Sequence, residues 1–131
     1  MKVLLKCDIP KRGFNAKFEH RWTKAKLGIE VNNWQWDGQV GSHVLDNRHN
    51  INSLKFQAFV NFGQDSYDHH ISPQLEARKK GGYAVNQIKD IDLGQLMLYC
   101  GMDSLLEWKL AERQMERIGY VQTNAVSGKR R

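Results

Sequence analysis

The sequence predicts a single α/β domain in which two short parallel strands enclose a helix and several further helices follow. Residues 11–16 and 29–36 alternate apolar and polar side chains, which is typical of strands. Between them lies a helical stretch of about two turns that Gly28 would end. A strand, a helix and a strand in such close succession form a crossover unit, the connection that parallel strands require.

The remaining elements follow from start and stop signals. Asp37 stands at an N-cap position before "GQVGSHVLDN", and Asn52 or Ser53 can cap the apolar stretch "LKFQAFVNF" that Gly63 ends. Residues 64–92 are polar and predict a connecting loop, with one short helix in "SPQLEARKK". A long helix is expected over about residues 92–118, and residues 119–131 are expected to form a basic, disordered tail after a domain of residues 1–118.

Composition limits the class of protein. The chain has 131 residues, 40% of them hydrophobic, which suits one domain with a modest core. It has no apolar run near the roughly 18 residues of a membrane span, and its first ten residues are too charged for a signal peptide. These features predict a cytoplasmic protein without membrane partners. Cys7 and Cys100 are expected to be reduced thiols, with Cys100 packed in the core.

Charge is unevenly distributed along the chain. The net charge is +6, and residues 1–26 contain eight Lys or Arg against Asp8 and Glu19. Three more basic residues lie among the last five. A basic end on a near-neutral body fits a polyanion partner, although a solvated basic face explains the same charge pattern.

An aspartate interrupts the apolar face of the long helix. At about 100° per residue, Tyr99 and Asp103 share a stripe with three leucines, 96, 106 and 110. A second apolar stripe beside it contains Leu93, Met97, Cys100, Trp108 and Ala111. Because an unpaired buried carboxylate costs several kcal/mol, Asp103 is expected to have a hydrogen-bond donor, a cation or a metal ion as partner.

Three segments resemble the proofreading 3′–5′ exonuclease domain of bacterial and phage family A DNA polymerases, a branch of the RNase D or DEDD superfamily. "GFNAKFE" is similar to the second exonuclease motif, with an Asn followed four positions later by an acid. "WDGQVGSHVLDNRHNINSLKFQAFVNFG" is similar to the helix pair of that family, and "YCGMD" matches its Tyr-x-x-x-Asp third motif. The resemblance covers about residues 11–118 and implies a partial RNase H-like fold.

The resemblance also implies roles for six residues. Glu19 and Asp103 would be catalytic and bind metal, and Tyr99 would help to orient the attacking water. Asn15, Lys17 and Phe18 would contact the terminal nucleotides of a single-stranded DNA or primer 3′ end. Two divalent ions, Mg²⁺ or Mn²⁺, are the implied cofactors, because such ions prefer carboxylate oxygens and promote phosphodiester hydrolysis. The expected setting is DNA replication in the cytoplasm, that of the host if the protein is phage-encoded.

Two departures from the motifs limit this interpretation. Glu19 stands where the family usually carries Asp, and the Asp-x-Glu first motif is absent, since "KCDIPK" offers only Asp8. We therefore expect a carboxyl-terminal part of the exonuclease domain that lacks the first three strands and has little activity alone. A separately encoded amino-terminal segment or a polymerase domain is a possible partner. The alternatives are a non-catalytic module that binds single-stranded nucleic acid and an inactive remnant.

Other motifs have simpler interpretations. Asp37 is assigned to helix capping despite its prominence in the sequence. "DSYDHH" could suggest a zinc or iron site, but adjacent histidines in an extended segment point to opposite sides and no further ligand has suitable spacing. A metal role for this segment is therefore disfavoured.

Overall fold

Two parallel strands and the helix between them form the predicted crossover unit. The computed structural model describes residues 2–75, 78–80, 83–85 and 87–120. For residues 78–80 and 83–85 it describes the backbone alone. Strand β1 (Lys11–Gly13) pairs in parallel with β2 (Trp34–Asp37), and helix α2 (Ala16–Leu27) connects them. The chain is thus a mixed α/β protein, mostly helical, with a two-stranded parallel sheet.

The other elements surround this unit. They are α1 (Lys2–Lys6), α3 (Gly38–Leu45), α4 (Leu54–Phe62), α5 (Ser72–Leu75), a hairpin of β3 (Arg78–Lys80) and β4 (Tyr83–Val85), a 3₁₀ turn (Ile88–Asp90) and α6 (Leu93–Ile118). The long helix α6 has nearly the predicted bounds. No helix among the residues described is long and apolar enough to cross a membrane.

Local signals set most helix ends. Ser53 accepts a hydrogen bond from the Phe56 amide at the start of α4, so of the two candidate caps Ser53 is the one used. Glycines 28, 63 and 119 adopt left-handed backbone conformations immediately after α2, α4 and α6. The predicted stops at Gly28 and Gly63 are confirmed.

The carboxyl-terminal half of α6 carries much of the core. Leu106, Leu110, Ala111 and Met115 are buried there, where α6 packs against α3 and α4. The second predicted stripe is wrong over most of its length, since Leu93, Met97 and Trp108 are more than half exposed. Cys100 is also exposed, so its predicted place in the core is wrong. The reason is that the described part of the chain places no element over this side of α6.

A buried polar cluster holds α6 against β2 and α3. The Gln114 amide nitrogen donates to the Gly38 carbonyl at 3.0 Å and to the Ser42 hydroxyl at 2.8 Å. Its oxygen accepts from the Trp36 indole at 2.9 Å. Gln114 is only 2% exposed, and these bonds satisfy its amide inside the core. A Cβ at Gly41 would lie 2.5 Å from the Gln114 oxygen, so glycine permits the close approach of α3 and α6.

The strand β1 is attached to α6 through Arg12. Its guanidinium lies 3.9 Å from the centre of the Trp108 ring and forms an ion pair with Glu112. The Arg12 Nε also donates to Gln35 at 3.1 Å, on the neighbouring strand. Among the residues that the structure describes, β1 pairs only with β2, and its other edge has no strand beside it.

The strands are shorter than predicted. Asn15 and Asn33 have positive φ angles of 65° and 56°, in the left-handed region, and each separates a strand from the predicted extension of it. As a result α2 begins at Ala16, three residues before Glu19, where the sequence suggested its start. The first and last residues of "GFNAKFE", Gly13 and Glu19, therefore lie on different elements, β1 and α2.

Two further predictions concern the loop and the tail. The loop after α4 contains α5, and the second half of "SPQLEARKK" contributes β3 instead of helix. Tyr120 packs its ring edge-on against Trp36, with 5.6 Å between ring centres, so the predicted disordered tail does not begin at residue 119. Residues 121–131, which carry the rest of that prediction, lie outside the described residues.

Candidate functional site

Asp37 fixes the turn between β1 and α2. Its carboxylate accepts hydrogen bonds from the backbone amides of Asn15 at 3.0 Å and Ala16 at 2.9 Å. It also accepts from Gln39 at 2.9 Å and Val40 at 3.3 Å, at the start of α3. The predicted N-cap of α3 is therefore confirmed, and the same carboxylate also serves the start of α2.

Glycine is required where β1 enters this turn. A Cβ at Gly13 would lie 2.7 Å from the Trp34 ring. The Trp34 indole donates to Nδ1 of His20 at 3.3 Å, on the inner side of α2. These contacts set how α2 lies on the strands. They therefore also set where Lys17, Phe18 and Glu19 reach the surface, all three of which are exposed.

Asp103 has the partner that its position on α6 required. The hydroxyl of Tyr67 donates a hydrogen bond to its carboxylate. The Tyr67 and Tyr99 rings lie side by side, with 6.0 Å between their centres. Burial raises the pKa of both tyrosines, and the Asp103 carboxylate raises it further, so both hydroxyls remain protonated at neutral pH. Asp103 is thus a half-buried acceptor beside two phenolic donors.

Tyr67 belongs to the "DSYDHH" segment, in which sequence analysis weighed only a metal role. Asp68 is 5% exposed, forms an ion pair with Lys55 and accepts from the Ser66 hydroxyl at 2.8 Å. The ammonium of Lys55 lies 5.8 Å from the centre of the Tyr99 ring. His69 and His70 are exposed. The segment therefore contacts α6 through Tyr67 and α4 through the ion pair of Asp68 with Lys55.

Glu107 is a further acid that sequence analysis did not select. Burial raises its pKa to about 7, and the neighbouring carboxylates of Glu19, Asp103 and Asp37 add to this effect. The backbone amide of Phe14 acts in the opposite direction. Glu19 and Asp103 are therefore both near enough to Glu107 to disfavour its charged form, although 84 positions separate them in the chain.

The sequence did contain a signal for Glu107. It follows Asp103 by four positions, as Asp103 follows Tyr99, so the three side chains lie along one side of α6. The cleft beside it is lined by Lys11, Arg12, Ser104 and Trp108. The basic side chains of Lys11 and Arg12, both on β1, therefore line the same cleft as Glu107.

The carboxylates do not amount to a complete ion site. Among the residues described, no three His, Cys, Asp or Glu side chains are placed to ligate one metal ion. Glu19 and Asp103 remain the predicted metal ligands, and two Mg²⁺ or Mn²⁺ ions held by them would need oxygen donors beyond those that the described residues bring together.

Comparison with family models, with curated proteins and with solved structures gives no significant match for this chain. The assignment to the exonuclease family therefore stays a prediction supported by the three motifs. The geometry described above comes from this chain alone.

Proposed function

We propose that this chain is the carboxyl-terminal part of a 3′–5′ exonuclease domain that removes nucleotides from a primer 3′ end during DNA replication. The observation that carries the proposal is that the two acids of the motifs, Glu19 and Asp103, both influence one further acid, Glu107. The carboxylates of Glu19 on α2 and Asp103 on α6 both contribute to the raised pKa of Glu107, and Tyr99 lies beside Asp103. Motifs separated along the chain thus contribute to one region of the surface.

The residues of this chain have distinct proposed roles. Asp103 and Glu19 supply carboxylate oxygens, and the protonated Tyr99 hydroxyl is available to orient a water molecule. Asn15, Lys17 and Phe18 lie at the start of α2, where they would contact the terminal nucleotides. Divalent ions would supply the activation of water and the stabilisation of the leaving oxygen.

We further propose that a second polypeptide segment supplies the remaining acids. Among the residues described, β1 has one unpaired edge, which offers backbone hydrogen-bonding groups to an additional strand. The side chains of Lys11 and Arg12 from the same strand line the cleft that contains Glu107. Such a segment could be separately encoded or belong to a polymerase. The expected compartment is the cytoplasm, that of the host if the protein is phage-encoded.

Hydrolysis of a 5′-labelled single-stranded oligonucleotide with Mg²⁺ or Mn²⁺ tests the proposal. We expect slow shortening from the 3′ end, abolished by EDTA and by Asp103→Ala. Asp65→Ala is the matched control, since Asp65 is an exposed acid outside the proposed site, and it should retain the activity. Hydrolysis that persists in the Asp103 variant would refute the site assignment.

The incomplete ligand set favours a second candidate function. A chain without three convergent ligands among its described residues could hold single-stranded nucleic acid without cleaving it. Salt-sensitive binding with no hydrolysis by the unchanged chain would support this module. Loss of both binding and hydrolysis would leave the inactive remnant.

A further inference from the structure

Helix α2 carries its two large aromatic side chains on the side that faces away from the protein core. Phe18 is 54% exposed and Trp22 is 51% exposed. Ala16 is the only buried residue of this helix, and His20 faces β2 through its bond to Trp34. At about 100° per residue, Phe18 and Trp22 point away from that inner side. Packing in the core therefore does not explain why an aromatic residue stands at either position.

Basic side chains flank this aromatic pair. Lys17 and Arg21 lie along one side of the pair and Lys26 along the other, and all three are exposed. The charge of a fourth cation of this helix, Lys24, is partly neutralised by its ion pair with Glu30. Glu19 is the single acid in the helix. An occupant of this surface should thus present flat apolar faces between negative charges.

We propose that Phe18 and Trp22 form a stacking platform for successive bases of single-stranded nucleic acid, with Arg21 and the flanking lysines on its phosphates. Aromatic side chains stack on any base, and nearby cations follow the backbone. The two rings are one helical turn apart, a rise of roughly 6 Å, so each can receive a different base. Trp22 and Arg21 extend the predicted contacts at Asn15, Lys17 and Phe18.

The platform deepens the proposed exonuclease function, because a strand held along α2 reaches the end of the helix near Glu19. Its role in guiding a strand to that site rests on the proposed function. Binding itself does not, since stacking and phosphate contacts need no metal ion. Measurements in EDTA therefore separate failure of the platform from failure of catalysis.

The experiment measures fluorescence anisotropy of a labelled oligothymidylate with the full chain in EDTA. Trp22→Ala should weaken binding by about tenfold, the scale of one lost stacking contact. Phe59→Ala, which removes a ring that is 57% exposed on α4, should leave the affinity unchanged. Arg21→Gln should weaken binding and reduce its salt dependence, whereas Lys109→Gln on α6 should not.

An abasic oligonucleotide of equal length distinguishes stacking from attraction to phosphates. Wild type should bind it more weakly than oligothymidylate, and this difference should be smaller in Trp22→Ala, in which only Phe18 can still stack on a base. If the abasic strand binds wild type equally well, or if Trp22→Ala retains full affinity for oligothymidylate, the platform is wrong. Circular dichroism of each variant shows that α2 has kept its helix.

Discussion

At the scale of single residues, the charge state of Glu107 is the most informative property of the site. Its carboxyl is surrounded by Glu19, Asp103 and Asp37, and its pKa of about 7 lies well above the usual 4.5. The folded protein consequently binds a proton that the unfolded chain releases. Linkage requires stability to depend on pH over the interval between these two values.

We expect stability to be greatest near pH 4.5, as far as Glu107 is concerned, and to fall as the pH rises to about 7. Glu107→Gln should remove this slope and stabilise the protein at pH 8 by about 1 kcal/mol, after allowance for solvent screening. Urea unfolding without divalent ions, at several pH values, measures the effect. A variant whose pH slope equals that of wild type would show that Glu107 is not the titrating group.

Asp103 shows how much residue-level reasoning can predict. Its position among leucines correctly implied a partner, because the cost of burying a carboxylate is general. The partner is Tyr67, which lies 36 positions earlier in a loop without periodicity. Its identity depends on how that loop returns to α6, and no local pattern records this.

At the scale of elements, close packing of α3 on α6 depends on a glycine. Helix interiors normally favour alanine over glycine by about 1 kcal/mol, and Gly101 in α6 has open space around a potential Cβ. Gly41 in α3 has the Gln114 oxygen at 2.5 Å from that position. The same substitution should therefore have opposite effects at the two sites.

We expect Gly101→Ala to stabilise the protein by about 0.5–1 kcal/mol. Gly41→Ala should destabilise it by about 1–3 kcal/mol, because Gln114 must move and weaken its bonds to Trp36, Gly38 and Ser42. Thermal and urea unfolding of the two variants beside wild type measure the difference. Stabilisation by both would contradict the packing described for α3.

Element boundaries were predictable where a single residue defines them. Gly63 and Asp37 act through bonds or backbone angles within a few positions, so the sequence alone located them. For the same reason it limited the cap of α4 to Asn52 or Ser53, of which the structure uses Ser53. The strands were overestimated because Asn15 and Asn33 also allow extended conformations. In the folded chain the Asn15 amide donates to Asp37 and the Asn33 side chain donates to the Asp8 carbonyl, and both of these partners are distant in the sequence.

At the scale of the whole molecule, Asp37 joins the two halves of the crossover unit. It is the last residue of β2, caps α3 and accepts from the amides of Asn15 and Ala16 at the start of α2, so one side chain connects three elements. Asp37 thus connects α2 to α3, and α3 in turn is bonded to Gln114 of α6. Its removal should affect more than one helix.

We expect Asp37→Ala to destabilise the protein by more than the roughly 1 kcal/mol typical of a single N-cap, and by more than Ser53→Ala. Ser53 is the suitable comparison, since its side chain accepts from one amide of α4. Chemical unfolding of both variants gives the two free energies. Equal losses would indicate that the bonds from Asn15 and Ala16 to Asp37 contribute little.

The overall arrangement was less predictable than its parts. The parallel pair and the long helix followed from periodicity, and the structure contains both. Exposure of Leu93, Met97 and Cys100 did not, because a helical pattern shows which residues share a side and not whether another element covers it.

The bond between Trp34 and His20 determines which ring nitrogen of His20 carries the proton. An indole N–H can only donate, so Nδ1 of His20 must offer its lone pair and the imidazole proton must reside on Nε2. The hydrogen bond that joins α2, the helix with Phe18 and Trp22, to β2 therefore requires the Nε2-protonated tautomer of His20.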